Sequence, residues 1–319
     1  MVAGPTRPDV LVIGAGIIGM VTAWRLCERG MRVAIWTRDD PWQTTSAVAG
    51  AIWYPFLAEP REKVLRWSAA TFDRLSSLTA DVATGVRMQT VVEVFDHENP
   101  DLWWVDAVPG VEWLAREEVP KQFAAAVKVD VPVCDVPIYL QWLLSGLQEK
   151  GVTIDRKGIE SFDEAFLVAD QVVNCTGLGA RVLCKDDDLH PVRGQVLRLA
   201  TGEIPHAWID DTKERPCYLI PREDGLICGG SAQMGDGRTD VDASDTDAIL
   251  RDAVRAFPHL RGERADMVRV GLRPYRSTVR LEVEQVVGGR RLVHNYGHGG
   301  SGYTVSWGCA EDVASLVVG

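Results

Sequence analysis

Cysteine is scarce and badly spaced for pairing: 7 in 319 residues, at Cys27, Cys134, Cys175, Cys184, Cys217, Cys228 and Cys309. The number is odd and no C-x-x-C occurs, so neither a disulfide framework nor a zinc site is expected. A reducing, cytoplasmic setting suits such a set of thiols. Runs of Lys or Arg are missing as well. With 34 basic against 45 acidic residues, the formal net charge is −11, which argues against nucleic acid and anionic membrane as partners. The apolar run at residues 10–18 is far too short to span a bilayer. Residues 1–8 lack the apolar core and cleavage site of a secretory signal, and residues 316–319 carry no Ser-Lys-Leu type address.

What remains is an ordinary globular balance, 46% hydrophobic and 25% charged, long enough for one large or two ordinary domains. Its clearest feature is at residues 9–39. The apolar run Val10-Leu11-Val12-Ile13 is short and β-branched, as a strand is. Gly14-Ala15-Gly16-Ile17-Ile18-Gly19 follows, then an amphipathic stretch at 20–29 closed by Gly30, then a second strand at 32–36. Strand, glycine turn, helix and strand make a βαβ unit with a dinucleotide-binding fingerprint. Gly14 suits the tight turn, Gly16 lets a pyrophosphate approach the backbone, and Gly19 lets helix and strand close. N–H groups near Ile17 and Ile18 would face the phosphates, helped by the helix dipole. The acid expected near the ribose is out of place: the chain reads Trp36-Thr37-Arg38-Asp39, so Asp39 comes late and Arg38 is an alternative contact. The fingerprint alone leaves NAD, NADP and FAD open.

Thr44, Thr45 and Ser46 supply hydroxyls near the expected end of the diphosphate, and the small residues of 47–51 allow the backbone to lie close to something flat. Helical spacing predicts amphipathic helices at 63–78, 138–150 and 245–257. Alternation predicts strands at 87–95 and from 193 to 199, and a hairpin pairs 218–221 with 226–230 around Glu223-Asp224-Gly225. Residues 102–122 have no evident role, and Trp103, Trp104 and Trp113 are expected to pack. Gln171-Val172-Val173-Asn174-Cys175-Thr176-Gly177 reads as a second buried strand entering a glycine turn, so the nucleotide domain is discontinuous. A strand is expected at 280–283. Near the C-terminus, residues 292–304 run through Gly297-His298-Gly299-Gly300-Ser301-Gly302 into a helix expected at 307–316. Within that stretch His294 and His298 are not a metal pair, because glycines break the helix their spacing would need. No metal is expected.

Taken together, Val12-Ile13-Gly14-Ala15-Gly16-Ile17-Ile18-Gly19, Ala49-Gly50-Ala51 followed by Trp53 and Pro55, Tyr139-Leu140-Gln141-Trp142-Leu143, Asn174-Cys175-Thr176-Gly177, Arg193-Gly194-Gln195, Gly271-Leu272-Arg273-Pro274 and His294-Asn295-Tyr296-Gly297-His298-Gly299-Gly300 resemble D-amino-acid oxidase over nearly the whole chain. The resemblance implies an α/β fold: a Rossmann-like FAD-binding domain at 1–57, 132–193 and 266–319, and a largely antiparallel β substrate domain at 58–131 and 194–265. It implies non-covalent FAD, and oxidation of neutral D-amino acids to imino acids that hydrolyse to 2-oxo acids and ammonia. The hydride passes from Cα to flavin N5, and molecular oxygen is reduced to hydrogen peroxide. The partners are thus a small D-amino acid and oxygen, with a homodimer allowed.

Matched by position, Arg273 would hold the substrate carboxylate, a task suited to its planar fork. Tyr218 would add a hydrogen bond to the same group, and the Gly300 carbonyl would accept from the amine. No side-chain base is then needed, and His298 is not one. Implied cofactor contacts are Gly14, Ala15, Gly16, Ile17, Ile18, Gly19, Arg38, Thr44, Thr45, Ser46, Gly50, Ala51, Ile159, Thr176, Gly177, Arg273, Gly299, Gly300, Gly302, Tyr303 and Thr304. Of these, the turn from 299 to 304 would meet the flavin pyrimidine edge through backbone N–H groups and the Thr304 hydroxyl. The chain departs from the family on the segment before Tyr218: residues 202–217 are short and carry no tyrosine. A more open pocket is expected, with Tyr54 or Trp208 supplying aromatic surface. Three other functions stay open on the residues alone. A D-aspartate oxidase would need a further cation, for which Arg215 and Arg222 are candidates. An NAD-dependent dehydrogenase and a non-catalytic nucleotide-binding module are the others.

Overall fold

The computed structural model describes residues 7–213, 215–286 and 288–318. Val10–Ile13 is wholly buried and pairs in parallel on both sides, with Val33–Thr37 and with Gln171–Asn174. Burial on both faces is why this run shows no alternation. Thr153–Arg156 extends the parallel layer beyond Val33–Thr37, and Arg290–His298 extends it beyond Gln171–Asn174. One face is covered by the helices Ile17–Glu28, Val136–Glu149 and Gly302–Val318, where Trp24 stacks on Trp142 with ring centroids 4.6 Å apart. The other face carries a smaller cluster of Leu11, Ile13, Trp36 and Phe166.

The strand Ala265–Val286 joins this layer to the rest. Its first half pairs antiparallel with His190–Leu199, its second half antiparallel with Arg290–His298, and the register shifts between Tyr275 and Arg280. From His190–Leu199 the same sheet continues through Gly225–Gly229, Tyr218–Arg222, Ala207–Asp210, Val86–Phe95 and Ala125–Cys134 to Glu112–Trp113. Among the described residues, only Val86–Phe95 and Ala207–Asp210 pair in parallel within this half. One face of it packs Leu197, Trp208, Leu219 and Cys228 against the helix Ala243–Ala256. The opposite face turns Val196, Ile220 and Ile227 toward Val48 and Ile52.

Several elements differ from the sequence reading. The strand expected at 280–283 is part of a 22-residue strand, whose many charged residues disguise it. The helix expected at 307–316 begins at Gly302, so Gly302, Tyr303 and Thr304 form its first turn instead of a loop. Trp104 is buried, but Trp113 is 54% exposed on the edge strand Glu112–Trp113 and packs little. The seven cysteines are free, and burial pushes the thiols of Cys175, Cys217 and Cys228 up to about 12. No helix among the described residues is long and apolar enough to cross a membrane.

The C-terminal helix lies against Arg61–Leu78 at Gly308, whose N–H donates to Thr71 Oγ1 at 3.0 Å. A side chain at Gly308 would run into the Trp67 backbone. Gly308→Ala should therefore lower stability by about 2–3 kcal/mol through overpacking, read as a fall in the urea midpoint; an unchanged midpoint would mean the two helices can separate freely.

Candidate active site

The helix Ile17–Glu28 opens at Gly16, which has no side chain to cap it, and has no acid in its first turn; of its first N–H groups that of Ile17 meets the Ser46 hydroxyl, and those that follow it meet no side chain among the described residues. Its positive end is thus left for an anion. Gly14, at φ +110°, faces the Cys175 carbonyl, and a Cβ at Gly19 would run into the Gly14 carbonyl, so both glycines hold strand and helix at contact distance. Ser46 Oγ accepts the Ile17 N–H at 2.9 Å, while the Ser46 carbonyl accepts the Tyr303 hydroxyl at 3.0 Å. Ser46 therefore ties the first helix to the last, beside Gly302. Thr44 and Thr45 spend their hydroxyls on the carbonyls of Pro41, at 2.7 Å, and Leu272, at 3.0 Å.

At the far end of the second strand, Arg38 donates to Asp39 Oδ2 at 2.9 and 2.7 Å. The two candidates for the ribose position neutralise each other on the surface. Ile159 packs with the cluster that holds Trp36, and the Lys157 ammonium lies 3.7 Å from the Trp36 ring centroid. Thr176 donates to Asn174 Oδ1 at 2.7 Å, and Gly177, at φ +53°, faces Pro274. Ala51 adopts φ +57° and Gly50 lies against Tyr218 and Ile220, so the 47–51 loop reaches both ends of the cleft.

Arg273 stands on the long strand opposite Val192, and its guanidinium lies across Gly194 to donate to the Ser231 carbonyl at 2.8 Å. It does not pair with Glu282 or Glu284; Arg280 does, at 2.7 and 3.6 Å. Tyr218 lies opposite Gly229, where a Cβ would run into its ring. Burial pushes the Tyr218 hydroxyl above its ordinary range, and the Arg273 guanidinium beside it offsets part of that. The Phe56 ring is 5.8 Å from Arg273 Cζ. Phe56 also holds the glycine turn: its carbonyl accepts from Gly300 N–H at 3.1 Å and Ser301 Oγ at 2.9 Å. Gly299 adopts φ +53° against the Leu57 carbonyl. Arg273, Tyr218, Phe56 and Gly300 thus form one constellation.

Other expectations need correcting. The Thr304 hydroxyl, expected at the flavin edge, donates to the Tyr54 carbonyl at 2.9 Å and accepts the Tyr54 N–H at 3.1 Å, so it braces the 54–58 loop. Trp208 is not pocket surface. It sits on the other face of the sheet, packed with Phe123 and Phe257, because strand alternation gives the pocket face to its neighbour Ile209. Arg215 binds Asp252 and the Gly230 carbonyl, and Arg222 binds Asp224 at 2.9 and 2.8 Å, so neither offers a free second cation. His298 Nε2–H donates to Asn295 Oδ1 at 3.0 Å, and burial holds the ring neutral, its pKa pushed down to about 3. His294 instead meets Asn174 at 3.2 Å and Glu284 at 3.1 Å. No group of three His, Cys, Asp or Glu among the described residues is arranged to hold a metal ion.

One residue was missed. Glu93, 2% exposed, accepts the Tyr54 hydroxyl on Oε1 at 2.6 Å, and its Oε2 has no hydrogen-bond partner. The signal was available: an acid at an inward position of Val91-Val92-Glu93-Val94-Phe95.

A phosphate-directed helix start joined to a constellation of Arg, Tyr and a glycine turn is the plan of a dinucleotide-dependent oxidoreductase. The family described as FAD dependent oxidoreductase matches residues 9–316, and the chain belongs to that family. A D-amino-acid oxidase from Rubrobacter xylanophilus is 43% identical over 310 residues, 96% of this chain and 94% of the relative. A human D-aspartate oxidase is 32% identical over 324 residues, 97% and 94% of the two chains. Glycine oxidase from Geobacillus kaustophilus shares the fold with a TM-score of 0.83 at 19% identity, covering 98% of this chain and 95% of that one. The cofactor is accordingly FAD, which sets the NAD-dependent dehydrogenase aside. The helix start, where the N–H groups after Ile17 meet no side chain, and the glycine approach at residues 14–19 fit its diphosphate.

Two expectations follow. Gly19→Ala should weaken FAD binding at least tenfold, about 1.4 kcal/mol, in a flavin-fluorescence titration; wild-type affinity would show that the close helix–strand contact is dispensable. Burial pushes the Glu93 carboxyl up to about 8 from an ordinary 4.5. Between those values the folded protein holds a proton that the unfolded chain has lost, so this group makes stability fall as pH rises. The urea midpoint of Glu93→Gln relative to wild type should therefore climb from pH 5 to pH 8. A constant difference would mean Glu93 ionises normally.

Proposed function

We propose that the protein is an oxidase of D-amino acids without an acidic side chain, releasing a 2-oxo acid, ammonia and hydrogen peroxide. The observation that carries this is the meeting of Arg273 and Tyr218 over the side-chain-free positions Gly194 and Gly229. A guanidinium fork and a phenol there bind a carboxylate through charge-assisted hydrogen bonds. The Gly300 carbonyl, on a turn locked by Phe56 and Ser301, accepts from the substrate amine. Held at both ends, the substrate has one orientation for its Cα–H, and orientation supplies much of the rate. FAD supplies the two-electron acceptor, and molecular oxygen reoxidises it to give hydrogen peroxide. No protein base takes part, consistent with His298 being neutral and held by Asn295. In this reading residues 1–57, 132–193 and 266–319 serve the cofactor, and 58–131 and 194–265 serve the substrate. The location is cytoplasmic, in keeping with free thiols, and a homodimer would be seen by sedimentation.

The D-aspartate reading is disfavoured by one feature. A second carboxylate needs a cation, since an unpaired buried charge is costly, and Arg215 and Arg222 are both engaged elsewhere.

A peroxide assay over D-amino acids with L-enantiomers as controls tests the proposal; no peroxide from any D-amino acid would refute it. Arg273→Ala should abolish turnover with flavin still bound. Tyr218→Phe should lower kcat/KM about 10- to 100-fold, the worth of one hydrogen bond to a charged group. Loss of flavin from Arg273→Ala would mean that Arg273 faces the cofactor instead of the substrate.

A further inference from the structure

We propose that Glu93 makes the far wall of the substrate pocket selective for D-amino acids whose side chain ends in a cation, over neutral side chains of equal length. The inference rests on the oxidase reading above and names its substrate class. Register places Glu93 on the pocket face. Glu93 lies opposite Ile209, Ile209 opposite Tyr218, and Tyr218 opposite Gly229, one row across four strands. Two strand spacings, about 9.5 Å, separate Glu93 from Tyr218.

Tyr54 links Glu93 to the start of the C-terminal helix. Its backbone clasps Thr304, four residues beyond Gly300, and its hydroxyl reaches Glu93 Oε1. Tyr54 therefore spans from the helix turn that follows Gly300 to Glu93. An extended lysyl side chain has comparable reach.

The chemistry at that end favours a donor. Glu93 Oε2 is buried and has no partner, which is unfavourable for that oxygen with or without its proton; an ammonium docked there pairs with the ionised carboxylate and displaces the proton to solvent. Among the described residues Glu93 joins no ion pair. The groups around it are the Tyr54 hydroxyl, which donates to Oε1, and the carboxyl of Asp211, an exposed residue just past the strand Ala207–Asp210. His97 and Asp96 lie outside Asp211. Two carboxyl groups with no Arg or Lys between them accept an ammonium or guanidinium, Glu93 ionising as the cation docks, and repel a carboxylate. Asp211 gives the cation an edge open to water, so its desolvation is partial.

The test compares D-lysine with D-norleucine, which differ only in the terminal ammonium, in wild type and Glu93→Gln. The variant should lower the ratio of kcat/KM for D-lysine over D-norleucine at least fivefold; a smaller change would overturn the proposal, since a merely structural role moves both substrates alike. Wild-type holoenzyme gives an independent measure should the variant not fold. Titrated by flavin absorbance, 6-aminohexanoate should bind at least fivefold tighter than hexanoate, and weaker discrimination would refute the cation site. Absence of peroxide with every D-amino acid would instead strike at the oxidase reading, leaving the carboxylate titration to judge Glu93.

Discussion

The Arg273 guanidinium can reach both the Ser231 carbonyl and the Tyr218 hydroxyl only because nothing stands beneath it. Gly194 lies under it, Gly271 is the cross-strand partner of Gly194, and Gly229 leaves room for the tyrosine. A Cβ at Gly194 would meet the guanidinium itself. The strand that carries Arg273 leads by one hairpin into Arg290–His298, which ends at the Gly299–Gly300 turn. Arg273 and the Gly299–Gly300 turn therefore hang from neighbouring strands, with Tyr275 opposite His298 between them. Tyr218 alone comes from another part of the chain. The register shift between Tyr275 and Arg280 is where the sheet passes from its antiparallel half to its parallel half, so the site sits where the halves join.

Alternation distributes the Arg193-Gly194-Gln195 motif between two tasks. Gly194 faces the cleft. Arg193, 1% exposed, faces away and binds Asp245 and Gln233, each at 2.8 Å, and the Asp240 carbonyl at 2.6 Å. Gln195 donates to the Asp242 carbonyl and to Thr246, each at 2.9 Å. These bonds fix the start of the helix Ala243–Ala256 under the strand that carries Gly194. A buried cation is tolerable when it is paired and its terminal donors are met in this way, here with Nε alone among the Arg193 nitrogens left without a partner, and the floor of the site is correspondingly rigid.

Much of this was legible in the amino-acid order. The first βαβ unit is unmistakable because a buried strand, three spaced glycines and a helix coincide within 31 residues, 9–39. Arg273, Tyr218 and Gly300 are separated by 55 and 27 positions, from 218 to 273 and from 273 to 300, and no periodicity connects them; a resemblance was needed to group them. Side-chain direction was the weak point. Trp208 and Ile209 are adjacent, and only the pairing of Ala207–Asp210 with its neighbours decides which one faces the pocket. Strand Ala265–Val286 escaped notice because its exposed face is charged, and Glu93 because an acid inside a strand reads as surface until its partner Tyr54 is seen across 39 residues.

The thiols acquire a meaning once hydrogen peroxide is the product. Thiolate, not thiol, reacts with peroxide. Cys134, Cys175, Cys217, Cys228 and Cys309 are buried, and each is driven well above neutrality by its surroundings. The catalyst carries its sulfur in a form that its own oxidant attacks slowly, a built-in resistance to self-inactivation over many turnovers.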